Sequence, residues 1–195
     1  MQTLEYRITQ RIILTALLML AVVLAQFGPG ASVAHAAGFA VTNLDDDGAG
    51  SLRQAILEAN AAPGPDTITF EVSGAITLVT SLPNIADPDG LTIDGSGQSV
   101  TVSGNNAVRV ARVNSGAELT VRNLTITDGR YEGIFNDHGT LTVSNSTFYG
   151  HDRAILSYGT LTVSNSTFYG NDTGIYNDHG TLTVSNSTFS VPWSL

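Results

Sequence analysis

A twelve-residue phrase that returns almost unchanged constrains this chain more than any other feature. Gly139 to Gly150 reads GTLTVSNSTFYG; the same letters recur from Gly159 to Gly170, and the first ten from Gly180 to Phe189. A looser copy, GAELTVRNLTIT, begins at Gly116, so the starting glycines are 23, 20 and 21 residues apart. Repetition at such a period marks a stack of like units, none able to bury a core alone.

Within each copy the apolar residues fall into columns. Leu119, Leu141, Leu161 and Leu182 share one position, with Val121, Val143, Val163 and Val184 two residues later. Leu-Thr-Val is period-two alternation, apolar inward and hydroxyl outward, which is a strand signal. Ile126, Phe148, Phe168 and Phe189 mark a second strand, and Ile134, Ile155 and Ile175 a third, with Asn, Ser and Gly at the turns between. Three short strands and three turns in 20–23 residues predict one coil of an all-β, right-handed parallel β-helix, each strand pairing with its equivalent ~4.8 Å away. A leucine-rich repeat lacks this pattern, and a propeller blade needs about twice the length.

Upstream the style persists in Asp66–Phe70, Ala75–Leu78, Leu91–Ile93, Val100–Val102 and Val108–Val110, short β-branched runs between turn residues. About six coils fit between residue 66 and the end, a rise of about 29 Å. Before them Ser51 and Gln54 form a capping box, Leu52, Ala55, Ile56 and Ala59 make one apolar stripe, and Pro63-Gly64 stops the helix. The reading is an N-terminal cap over 37–65, with its helix at 51–61, shielding the open end of coils that span 66–195.

Residues 1–36 have the layout of an export signal: Arg7 and Arg11, an uncharged run from Ile12 to Ala25, and Ala34-His35-Ala36 before the cleavage point. Fourteen helical residues reach only ~21 Å, short of a ~30 Å hydrocarbon core. There is no cysteine, which excludes disulfides, thiolate metal sites and a lipid anchor. All eight basic residues are arginine, and the net charge is −9. Such acidity disfavours nucleic-acid binding.

The segment Gly50-Ser51-Leu52-Arg53-Gln54-Ala55-Ile56 resembles the Cys-Ser-Leu-Arg-Glu-Ala-Ile motif of bacterial surface β-helix proteins, with glycine for cysteine and glutamine for glutamate. Residues 91–129 resemble the first coils of the same group and of polymorphic outer-membrane-protein passengers. The resemblance implies a secreted or surface-displayed solenoid. Members of the group are usually longer, which makes this chain a fragment of a longer repeat protein in this reading.

Candidate sites follow from the columns. Asn123, Asn145, Asn165 and Asn186 occupy one turn position and are read as an amide ladder bonding between coils. Tyr149 and Tyr169 form an outward aromatic pair available to a sugar ring. Asp137-His138 and Asp178-His179 sit two coils, roughly 9.6 Å, apart, too far to share one metal. Asp152 and Asp172 share a position, with Arg130 read as Asp152's partner one coil earlier. No catalytic constellation, cofactor or metal site is expected. Arg109, Arg112 and Arg122 do lie near Asp94, Asp128 and Glu118 along the coils.

The expected function is therefore a non-catalytic stalk or adhesin-like module that meets glycans or a neighbouring cell surface. Its threonine-rich strand face is presented outward, and end-to-end self-association is expected through its last coil. The alternative is a polysaccharide lyase or glycoside hydrolase on the same fold, which would need a basic residue beside an acidic calcium cluster or facing carboxylates.

Overall fold

The computed structural model describes residues 36–190. The expected export signal, up to residue 35, and Pro192 and Trp193 beyond the last coil lie outside them. The described chain runs β1 (Gly38–Val41), α1 (Leu52–Ala59), β2 (Asp66–Phe70), β3 (Gly74–Thr77), β4 (Leu91–Asp94), β5 (Val100–Ser103) and β6 (Ala111–Val113). It continues through β7 (Glu118–Arg122), β8 (Thr125–Thr127), β9 (Glu132–Asn136), β10 (Thr140–Ser144), β11 (Thr147–Tyr149) and β12 (Arg153–Ser157). The last five are β13 (Thr160–Ser164), β14 (Thr167–Tyr169), β15 (Thr173–Asn177), β16 (Thr181–Ser185) and β17 (Thr188–Ser190).

These strands make three sheets, every pairing parallel. Sheet A stacks β1, β2, β4, β7, β10, β13 and β16; sheet B stacks β3, β5, β8, β11, β14 and β17; sheet C stacks β6, β9, β12 and β15. From β6 onward each sheet contributes one strand per coil, the parallel β-helix that the repeat predicts; among the described residues the earlier coils have no sheet C strand. Register follows the columns: Leu141 faces Leu119 and Leu161, and Leu161 faces Leu182. Phe148, Phe168 and Phe189 stack face to face at 5.0 and 4.7 Å. Ile134, Leu141, Ile155 and Leu161 are essentially sealed from water, and one continuous core runs from Val41 to Phe168.

The repeat-opening glycines let the main chains stack closely. A Cβ on Gly159 would lie 2.1 Å from the Gly139 carbonyl, and one on Gly180 2.2 Å from that of Gly159. At the other turn Asn123, Asn145, Asn165 and Asn186 all have φ between 48° and 58°. That left-handed backbone is open to Gly and, among other residues, to Asn or Asp most readily.

Three expectations shift. The run at Val108–Val110 is not a strand; β6 lies three residues on, at Ala111–Val113, where Arg112 pairs with Phe135. Phe39 belongs to β1, which adds a rung to sheet A beside β2 where the sequence suggested only cap. The cap helix is Leu52–Ala59, shorter at both ends than 51–61, and only half of the capping box forms. Ser51 Oγ accepts the Gln54 N–H, but Gln54 Nε2 turns forward to Glu58 Oε1 at 2.8 Å.

The arginine of the Ser-Leu-Arg-Gln-Ala-Ile segment holds the cap in place. Arg53 donates to the Asp46 carboxylate at 2.7 Å and to the carbonyls of Asp46, Thr80 and Ser81. Asp46 also accepts the Val79 N–H. Asp46, the middle of three consecutive aspartates at 45–47, thus supplies the structural counter-charge to Arg53. Among the described residues no helix is long and apolar enough to cross a membrane.

Candidate functional site: an arginine and aromatic face on sheet C

Ile134 and Ile155 point into the core, so the residues directly after them, Phe135 and Leu156, take the opposite side of the strand, while Glu132 and Arg153 stand two residues before them at the strand starts. Two columns of side chains frame the site. One runs Glu132, Arg153, Thr173, with Arg109 one coil before Glu132; the other runs Arg112, Phe135, Leu156, Tyr176. Glu132 is the hub of the first. Its carboxylate is 3% exposed and both oxygens are engaged. Arg109 Nε and Nη2 donate to Oε2 at 2.9 and 2.6 Å, and Arg153 Nη2 donates to Oε1 at 2.6 Å.

Phe135 organises the second column. The Arg109 and Arg112 guanidinium carbons lie 4.9 and 5.4 Å from its ring centre, and Tyr158 meets it edge-on at 5.5 Å. Arg112 also bonds Asp137, whose other oxygen meets His138 Nδ1 at 2.9 Å. The hydrogen bond from Arg112, seconded by His138, holds the Asp137 carboxyl below its ordinary range. Arg130 lies over Tyr131 at 5.0 Å, and Arg153 reaches Tyr176 at 6.0 Å.

The chemical result is a positive island on an acidic protein. Three of the six arginines after residue 36, Arg109, Arg112 and Arg153, gather here against Glu132 and Asp137, while the whole chain carries −9. Arg109, Arg112 and Arg153 remain between 30% and 39% exposed. Arg112 Nε and Arg153 Nε are buried without a partner. The partly exposed ends of these guanidiniums, held in place by carboxylates and rings, suit planar bidentate capture of an anionic group.

The expected sites fall elsewhere. Tyr149 and Tyr169 stack at 5.0 Å on the outer side of sheet B, one coil apart. The asparagine column exists, but the side-chain bonds between these coils run through the next residue. Ser146 Oγ receives the Leu124 N–H, Ser166 Oγ the Ser146 N–H and Ser187 Oγ the Ser166 N–H. Asn145 and Asn165 are exposed. Asn123 alone reaches across a coil, donating to Asp94 Oδ1 and Ser96 Oγ at 2.9 and 2.8 Å.

Burial alone would raise the Asp94 carboxyl. Hydrogen bonds from Ser96 and Asn123, with Arg122 2.9 Å away, instead hold it low. Arg130 does not pair with Asp152. The offset between coils is 22 residues at Thr125–Thr147 but 21 at Glu132–Arg153, so carrying 22 through the turn misplaces the partner. The real pair, Glu132 and Arg153, was readable by aligning EGI (132–134) with RAI (153–155). Asp137 and Asp178 each bond the histidine that follows. Among the described residues no three His, Cys, Asp or Glu side chains converge to hold a metal ion.

The chain matches the family described as right handed beta helix region over residues 84–193. It is 36% identical over 87 residues to probable pectate lyase C of Emericella nidulans, a stretch covering 40% of this chain and 20% of the relative. The fold is similar to the crystal structure of jun a 1, the major allergen from cedar pollen, with a TM-score of 0.50 and 20% identity. That likeness covers 80% of this chain and 61% of the allergen. The chain thus spans a fifth of the length of its curated relative.

Proposed function

The chain belongs to the right handed beta helix region family, and from that premise we propose that it is an exported, non-catalytic module that holds an acidic polysaccharide against the outer face of sheet C. The observation that carries this is the clustering of Arg109, Arg112 and Arg153 around Phe135 and Glu132 in a chain of net charge −9. Carboxylates of a uronate chain meet the guanidiniums, and a sugar face meets the exposed ring of Tyr176. The name of the fungal relative, a pectate lyase, supports a polyanionic glycan as the ligand class. Export rests on residues 1–36, and surface display on the Ser-Leu-Arg-Gln-Ala-Ile segment shared in outline with bacterial surface β-helix proteins. The Tyr149–Tyr169 stack on sheet B is a second, smaller glycan platform in this reading.

Immobilised polygalacturonate is the test. Retention that weakens steeply with salt, and is lost in Arg112→Ala/Arg153→Ala while a neutral glucan is ignored, supports the proposal; equal retention of the double variant sinks it. A second reading, cleavage as a polysaccharide lyase or glycoside hydrolase, is favoured by the identity to the fungal lyase. Release of unsaturated sugars from polygalacturonate with calcium present would establish it in place of simple binding.

A further inference from the structure

The outer face of sheet A is chemically opposite to that of sheet C, and it is the more regular of the two. Thr140 and Thr142 of β10 are in register with Thr160 and Thr162 of β13, and these with Thr181 and Thr183 of β16. The next outward position is Ser144, Ser164 and Ser185 in the same three strands. The inward residues between them, Leu141, Val143, Leu161 and Val163, are fully buried. The array is therefore a grid of hydroxyls and methyls repeating about every 4.8 Å across strands and about 6.6 Å along them. Within β10, β13 and β16 no charged or aromatic side chain interrupts it; Glu118 and Arg122 of β7 border it on one side, and His138, Tyr158 and His179 line a groove with Thr140, Thr160 and Thr181 at the strand starts.

Packing does not require this uniformity, because outward side chains on sheet C differ freely between the same coils. Glu132, Arg153 and Thr173 share one position there, and Phe135, Leu156 and Tyr176 another. The same repeats are thus identical on one face and varied on the other. A two-dimensional grid of neutral groups is complementary to a surface that is itself periodic and neutral. A protein partner other than a second copy of this chain has no such repeat, and an acidic glycan would seek charge.

We propose that this threonine grid binds ice, as an activity separate from glycan capture on sheet C. Oxygen rows in ice repeat on nearly the same two spacings as the grid. Threonine supplies at each node a hydroxyl to join the lattice and a methyl to order the water beside it. Crystalline polysaccharide is the competing periodic partner, but faces that hold sugar rings use rows of aromatic platforms, and this one has only Tyr158, at its edge.

The test is ice shaping and thermal hysteresis with the full exported chain. The expected result is faceted crystals and a hysteresis gap, both lost in Thr162→Lys and in Thr142→Tyr, with far-ultraviolet circular dichroism and melting unchanged. Asp172→Lys, the same charge on an exposed turn, is expected to keep the gap. Absence of hysteresis in the folded chain overturns the proposal. So does equal activity in the folded grid variants, or retention on crystalline cellulose without any effect on ice.

Discussion

His151 and Asn171 occupy the same inward position of successive coils and make the same two main-chain bonds. His151 Nδ1 accepts the Gly129 N–H at 2.9 Å while Nε2 faces the Ile126 carbonyl at 3.1 Å. One coil on, Asn171 Oδ1 accepts the His151 N–H at 3.1 Å while Nδ2 donates to the Phe148 carbonyl at 3.0 Å. Ile126 and Phe148 are themselves register partners. The imidazole therefore acts as a larger amide: neutral, with its proton on Nε2.

That geometry sets a pH dependence. Burial lowers the His151 pKa from 6.5, outweighing its bonds to the Ile126 and Gly129 main chain and the nearby Asp128 and Asp152 charges. The unfolded chain then binds the proton more readily than the folded one, so stability is full above about pH 6.5 and is lost as pH falls toward the folded value. Urea midpoints between pH 7.5 and 5 are expected to fall for the natural chain. In His151→Asn they should stay nearly flat over that range; an identical fall in both would remove His151 as the cause.

Asn165 and Ser166 separate the two ways a turn column can matter. Asn165→Gly should cost little, since glycine accepts φ of 50° freely, whereas Asn165→Ala should cost about 1–2 kcal/mol. Ser166→Ala removes the acceptor of the Ser146 N–H and should cost about 1–3 kcal/mol. Chemical denaturation reads both. If Asn165→Gly were as damaging as Ser166→Ala, the asparagine amides would be the ladder after all.

Glu132 is held by two cations and cannot be neutralised without effect. Glu132→Gln keeps its shape but leaves Arg109 and Arg153 without counter-charge. The expected loss is roughly 2 kcal/mol, toward the lower end for charged hydrogen bonds because both arginines are about one-third exposed. Replacing Arg109 and Arg153 by methionine in the same background should recover part of it. A Glu132→Gln chain as stable as the original would mean the pairs contribute nothing.

The coil architecture was legible because it is written many times. Leu141, Val143, Phe148 and Ile155 each sit at a position whose inward direction is repeated in the neighbouring copies, so error in one copy is corrected by the next. The site was harder to read because its residues do not repeat. Glu132, Arg153 and Thr173 share a column only after the turn before β9 is given one extra residue, and turn lengths carry no periodicity. The choice of Asn145 over Ser146 as the bonding residue failed for a related reason. Both recur in the three closest copies, and only the left-handed backbone at the asparagine turns the serine inward. The role of Arg53 depends on carbonyls nearly thirty residues away, which local pattern does not reveal.

The most direct test is a titration of the isotopically labelled chain with oligogalacturonate, followed by amide chemical shifts. The account predicts shifts centred on the coils of sheet C, at 109–113, 131–137, 153–158 and 173–177, fading as salt is raised. Shifts centred instead on Tyr149 and Tyr169, or no shifts at low salt, would contradict the assignment of sheet C as the ligand face.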